Sequence, residues 1–544
     1  MVAAIPNHTD DELVGLVSRP IWHKSNRRAI FFCFVFVLGA FLYGYDGTYF
    51  TGMLEMQRFK EDFGDYDATT GTYEIKSTYT AVFASIVQAG EFVGSLMASV
   101  LGDYLGRKGA LWTAVLIVTI GCILQLILVG SVSLLIVGRL ILGIGVGIVS
   151  NCVPMYLSEI PPAAIRGSIV STWQLTLAIG QVIGACIAQG TKDYESTFSW
   201  RFPVAFNIVI TLAIGIGLLF VPESPRWLTQ KGKDDKAFRA LEAINKNNED
   251  LDAETELGIL IAAREAEANN EGNRSRWKDL LFVPADRRRF ICAFGILCCQ
   301  QISGVQFIFS YATRFFTDIG QTNAFLYTII VDIIEVVGVI MSLFIVNRFG
   351  RRPLLIGTGI FMTLTDIVIG AIGIERDRSA PMNTAIVAMI MLYVWAFNLA
   401  WGPLAWACAT ELSHGKNKTK IMSVGTAGFW ICAWAVTFTL PYLFDEDQAN
   451  LGPMVGWIYA GGGLISVLFV YFCIPETLGR SLEEISVMMD LGVPTRSWTT
   501  YRVGNVEQNF GDDEFRSAAK RGKMNRGQSY HVENPTQGKE EKDA

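Results

Sequence analysis

Twelve long apolar runs constrain the fold of this chain more than any other feature. Each run is about 17 to 27 residues long, enough for an α-helix to cross the hydrocarbon core of a bilayer. Unpaired backbone groups are too costly in lipid, so these runs must be helical. They cover approximately residues 29–45, 80–101, 110–130, 133–155, 168–190, 201–221, 290–316, 324–346, 353–374, 384–409, 421–443 and 452–474. The sequence therefore predicts an all-α membrane protein with twelve transmembrane helices.

The composition fits a lipid environment and argues against several other classes of protein. Of the 544 residues, 51% are hydrophobic and only 18% are charged, below the average of about 25% for soluble domains. A net charge of −6 and the lack of a basic domain give no sign of nucleic-acid binding. The ten cysteines lie in apolar runs without metal-ligand spacing, and the four histidines are scattered. We therefore expect no metal, no cofactor and no enzymatic activity.

The runs form two groups of six, which divides the chain into five parts. A polar stretch dense in charged residues separates the groups, and we expect surface helices there without a continuous apolar face. The C-terminal tail is hydrophilic, and we expect disorder beyond about Asp490. The predicted parts are the N-terminal tail 1–28, a six-helix bundle 29–221, the linker 222–289, a second six-helix bundle 290–474 and the C-terminal tail 475–544.

Basic residues between the runs set the orientation in the membrane. They concentrate in the linker and in the loops that follow the second, fourth, eighth and tenth runs, all on one side. The positive-inside rule places that side in the cytoplasm. We therefore expect both termini to be cytoplasmic.

Three short motifs recur in the same order in the two halves, which indicates an internal duplication. GDYLGRK after the second run matches NRFGRR after the eighth, and PESPR after the sixth matches PETLGR after the twelfth. Glu159 and Glu411 each precede a basic residue by seven positions. We expect these charges to hold the halves together on the cytoplasmic side and to separate when that side opens. The predicted cytoplasmic gate comprises Asp103, Arg107, Glu159, Arg166, Glu223, Arg348, Arg351, Arg352, Glu411 and Glu476.

The seventh run contains the polar sequence QQISGVQ at residues 300–306. Three amides and a serine at bilayer depth are costly unless they face protein, water or a ligand. Amides donate and accept hydrogen bonds without titrating, which suits a ligand rich in hydroxyl groups. Gly304 is a candidate break that re-aims Gln306 relative to Gln300 and Gln301. The alternative is that these amides only hold helices together.

Together these motifs resemble the sugar porter family of the major facilitator superfamily, in particular its fungal hexose-transporter-like members. The resemblance covers about residues 29–490 and includes GDYLGRK, PESPRW, QQISG, NRFGRR, PETLGR, the element Gly138-Arg139-Leu140 and the stretch from Trp401 to Trp406. It implies the major facilitator fold, in which two six-helix bundles surround a central sugar site and expose it alternately to each side. We expect a monomer in the plasma membrane whose partners are the lipid bilayer, a sugar-like substrate and protons.

The resemblance also implies which residues contact the substrate. The family's sugar contacts fall on Gln174, Gln181, Gln300, Gln301 and Trp406, with Asn398 close by. Two further positions depart from the family pattern, because asparagines of the family are replaced by Gln306 after QQISG and by Glu335 in the eighth run. These changes leave the substrate open among a sugar, a sugar acid, a deoxysugar and a polyol.

Asp46 and Arg139 are the predicted proton-coupling residues. In family members that couple sugar to protons, an acid at the position of Asp46 binds the proton and the arginine is its partner. We place Asp46 at the end of the first run. Burial favours the neutral acid and a nearby arginine favours the ionised one, so separating the pair would change its affinity for a proton. The alternative is a structural ion pair.

Four other acids lie inside the runs. Asp332 and Glu335 are three residues apart in the eighth run, and such neighbours share a helical face and one proton at neutral pH. This pair is either a second proton site or a substrate-facing acid, unless one member only faces water at a cavity mouth. For Glu91 and Asp366 we expect structural roles that tie helices together.

The predicted function is import of a sugar or sugar derivative by proton-coupled symport. An uncoupled hexose transporter is one alternative. A non-transporting nutrient sensor of the same fold is another. Fungal sensors of the family resemble this chain in the spans but carry a much longer tail than the roughly 70 residues after the twelfth run, which argues against a sensor.

Overall fold

The computed structural model describes residues 24–67, 72–161, 163–246, 253–269, 277–318, 323–413, 417–444, 448–478, 480 and 482–500. The regular structure in these ranges is helical except for one short antiparallel hairpin, formed by β1 Asp65–Asp67 and β2 Thr72–Glu74. The hairpin follows the first transmembrane helix, on the side of the protein away from the linker. Below, this side is called the hairpin face and the other side the linker face.

The first bundle contains five long helices. One of them, α3, is 51 residues long and bends sharply at Gly106, which has φ 83° and ψ 178°. Glycine reaches this backbone conformation without the steric cost of a side chain. The bend divides α3 into the second and third transmembrane helices. The helices up to the linker are α1 Arg27–Glu55, α2 Gln57–Phe63, α3 Ser77–Ile127, α4 Val132–Glu159, α5 Ala163–Thr191 and α6 Phe198–Phe220.

The linker forms four helices with a small apolar core of its own. Ala237, Ala240 and Leu241 lie on one face of the second of these helices and pack with Trp227 and Leu257. Helices form in the linker, as the sequence predicted, and the small residues Ala237 and Ala240, at helical spacing, contribute to this core. The linker helices are α7 Pro225–Gln230, α8 Asp234–Asn245, α9 Ala253–Asn269 and α10 Asp279–Phe282.

Two transmembrane helices of the second bundle are interrupted by a π-helical turn. The turn Gln301–Val305 lies between α11 and α12, and the turn Phe397–Trp401 lies between α15 and α16. Such turns leave backbone groups free and often occur at functional sites. The helices are α11 Pro284–Gln300, α12 Gln306–Asp318, α13 Ala324–Phe349, α14 Arg351–Gly373, α15 Ala380–Ala396, α16 Gly402–Leu412, α17 Lys418–Phe444 and α18 Gly456–Cys473, with α19 Leu482–Asp490 in the tail.

The structure has twelve transmembrane helices in two bundles of six, as the sequence predicted. Among the described residues, ten helical stretches are long and apolar enough to cross a membrane. One of them, α3, contains two spans, and α5, with 29 residues, is the remaining span. In chain order the spans are α1, the two parts of α3, α4, α5, α6, α11 with α12, α13, α14, α15 with α16, α17 and α18.

Two boundaries differ from the prediction. The first span does not end near Asp46 but continues to Glu55, because Tyr49 and Met53 on the added turns are buried in the bundle. Asp46 therefore lies well inside the helix. Order in the C-terminal tail also extends beyond Asp490, since Trp498 is fully buried and its carbonyl accepts a hydrogen bond from Arg480 Nη2 at 2.9 Å.

Candidate functional site

A cavity lies between the two bundles, and the empty space within it, including the part open to solvent, is about 870 Å³. Polar and aromatic side chains from both bundles line it, which is the composition expected of a site for a polar ligand with apolar faces. The first bundle contributes Tyr43, Asp46, Gln88, Glu91, Arg139, Gln174 and Gln181, and the second contributes Gln300, Gln301, Gln306, Glu335, Phe397, Trp406, Phe429 and Trp430, among others.

Gly304 shapes the glutamine-rich wall of this cavity. Its φ of 97° lies in the region that favours glycine, and it sits inside the π-helical turn that separates α11 from α12. A Cβ atom built on Gly304 would come within 2.5 Å of the Tyr459 ring, so the twelfth span packs directly on the turn. The break in the helix is the one the sequence predicted. Gln300, Gln301 and Gln306 all reach the cavity as a result.

Gln300 and Gln301 are adjacent but make different contacts. Gln300 Nε2 donates to the carbonyl oxygens of Trp401 at 2.9 Å and Gly402 at 3.3 Å, which ties the seventh span to the tenth. The Oε1 atoms of both glutamines are buried and accept no hydrogen bond from any described residue. Gln300 therefore combines a structural contact with a free acceptor, whereas the Gln301 side chain is available to a ligand.

Glu335 connects the two bundles across the cavity. With the Gln181 amide oriented to place its nitrogen towards the acid, Nε2 donates to Glu335 Oε2 at 2.8 Å and to Oε1 at 3.0 Å. Gln174 is also within hydrogen-bonding range of this carboxylate. The neighbouring Asp332 is buried, does not line the cavity, and its Oδ2 has no partner among the described residues. Only one member of this acidic pair therefore faces the cavity.

Aromatic rings form the wall below the amides. The Trp406 and Phe429 ring centroids are 5.3 Å apart, and Phe429 meets Trp430 edge-on at 4.7 Å. Tyr43 from the first span meets Trp430 edge-on at 5.5 Å. Sugar rings present C–H groups on their faces, and flat aromatic surfaces are suited to cover them.

Asp46 and Arg139 meet at the edge of the same cavity, and both are buried. Arg139 Nη1 lies 3.8 Å from Asp46 Oδ1, a long ion pair. The guanidinium is held by two other groups: its Nε donates to the Phe83 carbonyl at 3.1 Å, and its centre lies 3.5 Å from the centroid of the Phe50 ring. The arginine is thus anchored independently of the acid.

Two residues, Asn398 and Glu91, lie elsewhere than the sequence indicated. Asn398 is fully buried outside the cavity lining, and its Nδ2 donates to the Val394 carbonyl of the same helix at 3.1 Å. Glu91 faces the cavity, contrary to the structural role expected for it, whereas Asp366 is buried away from it. The sequence spacing puts Glu91 on the same helical face as Val87 and Gln88, but it does not show that this face meets the cavity.

On the linker side of the cavity, hydrogen bonds join the two bundles directly. Ser423 Oγ donates to the Ser95 carbonyl at 2.9 Å, and Thr426 Oγ1 donates to Asn151 Oδ1 at 3.3 Å. On the hairpin side, the Gln88 amide and the Thr437 hydroxyl are 3.5 Å apart. The shorter contacts lie on the linker side, so the bundles are held together more closely there. Sequence reasoning did not identify these neutral contacts.

The predicted gate residues of the first bundle form a compact cluster. Arg107 Nη2 lies 2.7 Å from Glu159 Oε1, and Ser224 Oγ donates to the other oxygen of Glu159. The backbone N–H groups of Arg107 and Lys108 donate to the carboxylate of Glu223 at 3.0 to 3.2 Å. Burial raises the pKa of Glu223 above its ordinary value, and these N–H donors partly oppose that rise.

The second bundle repeats the cluster with equivalent residues. Arg351 Nη2 lies 3.3 Å from Glu411 Oε1, and Thr477 Oγ1 donates to Glu411 Oε2 at 2.6 Å. The backbone N–H groups of Arg351 and Arg352 each donate to Glu476 at 3.0 Å. Gly350 precedes them with φ 87° and ψ 169°, nearly the conformation of Gly106. The two halves thus share a detailed local geometry as well as short motifs.

The position of these clusters corrects one expectation. Each ion pair joins helices of a single bundle, so among the described residues these charges do not hold the two bundles together. Side chains at the ends of adjacent helices reach each other more easily than they reach across the gap between bundles. Asp103 and Arg348 are exposed and belong to neither cluster. The side chain of Arg166 lies outside the part of the chain that the structure describes.

Comparison with known proteins gives a consistent assignment. The sequence model of the family described as "Sugar (and other) transporter" matches residues 32–489. The chain is 32% identical over 460 residues to the major facilitator-type transporter ecdD of Aspergillus rugulosus, which covers 82% of this chain and 84% of the relative. It is 30% identical over 474 residues to hexose transporter HXT17 of Saccharomyces cerevisiae, with 85% and 82% covered.

A sensor and a solved structure are also similar. The high glucose sensor RGT2 of Saccharomyces cerevisiae is 30% identical over 476 residues, but the match covers 86% of this chain and only 62% of the sensor. The proton:xylose symporter XylE, solved with 6-bromo-6-deoxy-D-glucose, superimposes with a TM-score of 0.72 at 23% identity over 86% of this chain and all of that one. Given the family match over most of its length, the chain belongs to the sugar transporter family and has the major facilitator fold.

Proposed function

We propose that this protein imports a sugar or a sugar derivative across the plasma membrane by alternating access, with protons as the driving ion. The observation that carries the proposal is the cavity between the bundles, where amides from both bundles face aromatic rings. Gln181 comes from the first bundle and Gln301 and Gln306 from the second. A ligand that hydrogen-bonds to all three joins the bundles, and its binding is therefore coupled to their relative position.

The contacts around the cavity support alternation between two closed faces. In this structure the direct hydrogen bonds at Ser95 and Asn151 close the linker side. Breaking them while the Gln88–Thr437 contact shortens would open the cavity to the linker side instead. Each bundle has its charged cluster within itself, so it is suited to move as a rigid body. We place the linker face in the cytoplasm and take the monomer as the transporting unit.

The ion pair of Asp46 and Arg139 is the proposed link between protons and sugar. Protonation of Asp46 removes its attraction to Arg139, while the arginine stays held by the Phe83 carbonyl and the Phe50 ring. Asp46 belongs to the cavity wall that a sugar touches, so the charge state of the acid and the occupancy of the cavity influence each other. This coupling allows a proton gradient to drive uptake.

The test is uptake of radiolabelled D-glucose, D-xylose, D-mannitol and D-glucuronate in a yeast strain without its own sugar transporters. A symporter concentrates its substrate, works faster as the external pH falls, and loses accumulation when a protonophore is added. One pH unit supplies about 1.4 kcal/mol per proton, and 100 mV adds about 2.3 kcal/mol per charge. Together these permit an accumulation of several hundredfold, which a facilitator cannot reach. Uptake of none of the four compounds, at normal surface expression, would contradict the proposal.

Asp46→Asn tests the role of the ion pair. The amide keeps the shape of the protonated acid but cannot cycle charge, so accumulation is expected to be lost while exchange of labelled for unlabelled sugar continues. Accumulation equal to that of the wild type would exclude Asp46 as a coupling residue.

The anchoring of Arg139 favours one other function. An arginine fixed by a carbonyl and a ring beside a 3.8 Å acid also fits a permanent structural pair, as in an uncoupled transporter. In that case the wild-type protein equilibrates its sugar at every pH without concentrating it, and Asp46→Asn reduces stability or expression.

A further inference from the structure

Glu91 is a cavity-lining carboxylate without a partner. It lies on the second span, is 4% exposed, and makes no hydrogen bond or ion pair with any described residue. The close approach of the second and fourth spans fixes its position, because a Cβ on Gly147 would come within 2.3 Å of the Glu91 carbonyl oxygen. The second and fourth spans are therefore in backbone contact at the residue that carries this acid.

The acids in the cavity outnumber the cations. Asp46, Glu91 and Glu335 all line it, and Arg139 is the cationic side chain among the lining residues. Arg139 is already paired with Asp46, and Glu335 accepts from the Gln181 amide. An ionised carboxylate that is buried without a partner is strongly disfavoured, and such a group normally takes up a proton.

The charged groups that face Glu91 come from two helices. Asp46 on the first span and Arg139 on the fourth both interact with it electrostatically. Tyr43, also on the first span, lies within electrostatic range of Glu91 and of Glu335 in the other bundle. The eleventh span, which packs along the second, presents Trp430 and Thr437 to the cavity region, and neither titrates. Two acids are therefore influenced by one arginine.

We propose that Glu91 is a proton-binding residue of the transport cycle and holds the exchangeable proton in this conformation, while Asp46 is paired with Arg139. An O–H bond forms on the Glu91 carboxylate when a proton enters from the hairpin side with the sugar. The same bond breaks when the cavity opens to the linker side and the proton leaves. The proton carried by Glu91 and the sugar move together, and no other reactant is consumed. The inference rests on the proton coupling given under the proposed function.

The test measures proton movement directly. Purified protein is reconstituted in weakly buffered liposomes, and external alkalinisation is recorded after adding whichever of the four labelled compounds the wild type transports fastest. The variants are Glu91→Gln and Glu91→Asp, with Asp366→Asn as the matched control because it removes a buried intramembrane acid that does not line the cavity.

Glu91→Gln is expected to lower the number of protons moved per sugar transported by at least about tenfold, because the amide cannot take up the proton, while sugar exchange persists. Glu91→Asp is expected to restore proton movement with a shifted pH profile, and Asp366→Asn to keep the wild-type ratio. Normal proton movement in Glu91→Gln overturns the inference and leaves the proposed function intact. Should Glu91→Gln fail to fold, an unshifted pH profile in Glu91→Asp overturns it. A wild-type protein that transports sugar without moving protons overturns the coupling itself, and this inference with it.

Discussion

Gln181 of the first bundle donates its side-chain nitrogen to Glu335 of the second bundle at 2.8 Å, across the cavity between them. Both residues are buried, so the bond is shielded from water. It joins the fifth span to the eighth before any ligand binds. A substrate that displaces the amide from the acid must replace this bond, which makes the pair a determinant of which hydroxyl pattern is accepted.

The first prediction concerns this pair. Gln181→Ala and Glu335→Ala are each expected to weaken substrate binding. The double variant is expected to lose less binding free energy than the sum of the two single losses, and the difference should be about 0.5–3 kcal/mol. Isothermal titration calorimetry on the purified protein measures the four affinities of the cycle. Gln181→Ala combined with Asp366→Asn provides the control, since Asp366 does not line the cavity. Purely additive effects for Gln181 and Glu335 would show that the bond does not matter for binding.

The second prediction separates two adjacent glutamines. Gln301→Ala is expected to weaken substrate binding by about 1–3 kcal/mol, roughly tenfold to a hundredfold, because a ligand hydrogen bond is lost. Surface expression should stay normal. Gln300→Ala is expected to reduce expression or thermal stability as well, because it also removes the bonds to the Trp401 and Gly402 carbonyls. An unchanged Michaelis constant for Gln301→Ala at normal expression would remove this residue from the site.

The third prediction compares the two charged clusters. The side chains of Arg107 and Glu159 are each 7% exposed, whereas those of Arg351 and Glu411 are 17% and 20% exposed. Removing one member of a well-buried pair costs about 3–5 kcal/mol, so Arg107→Ala should lower the melting temperature more than Arg351→Ala. Both should reduce the maximal transport rate and leave equilibrium substrate affinity nearly normal. Loss of affinity with a normal turnover would contradict this account.

The fourth prediction concerns the tail. Trp498 is 0% exposed, and its indole Nε1 donates to the Val493 carbonyl at 3.1 Å. Truncating a buried tryptophan to alanine costs about 3–5 kcal/mol, so Trp498→Ala should unfold at a clearly lower temperature in detergent. Trp277→Ala is the control, because Trp277 is 53% exposed and is expected to have little effect. Equal melting temperatures would mean that the residues after Asp490 do not stabilise the bundle.

The sequence predicted features that depend on local composition. Runs of apolar residues located the spans, and the glycine in QQISG located the break in the seventh helix. Gln174, Gln181, Gln301 and Trp406 reach the cavity, as the family resemblance implied. The spans and the break could be predicted because hydropathy and backbone conformation are set by residues close in the chain.

Features that depend on distant residues were harder to predict. The place of Asn398 behind the cavity wall depends on how the π-helical turn Phe397–Trp401 rotates the tenth span. Glu91 was assigned to helix packing because nothing in the second span shows which face meets the other bundle. The hydrogen bond from Ser423 to the Ser95 carbonyl involves no charged residue, so no pattern of charges in the sequence points to it.

The bends at Gly106 and Gly350 restrict which amino-acid substitutions the protein tolerates at these positions. A methyl group at Gly106 would meet Glu223 Oε2 at 2.2 Å, and one at Gly350 would meet Glu476 Oε2 at 2.6 Å, each at a positive φ. The positive φ strains any side chain at either glycine, and loss of either glutamate would leave N–H groups of the bend without this acceptor. Each glycine is thus constrained by its backbone conformation and each glutamate by the hydrogen bonds that it accepts. The two halves of the chain therefore keep the same local arrangement at this point, through backbone conformation at the glycine and hydrogen bonding to the glutamate.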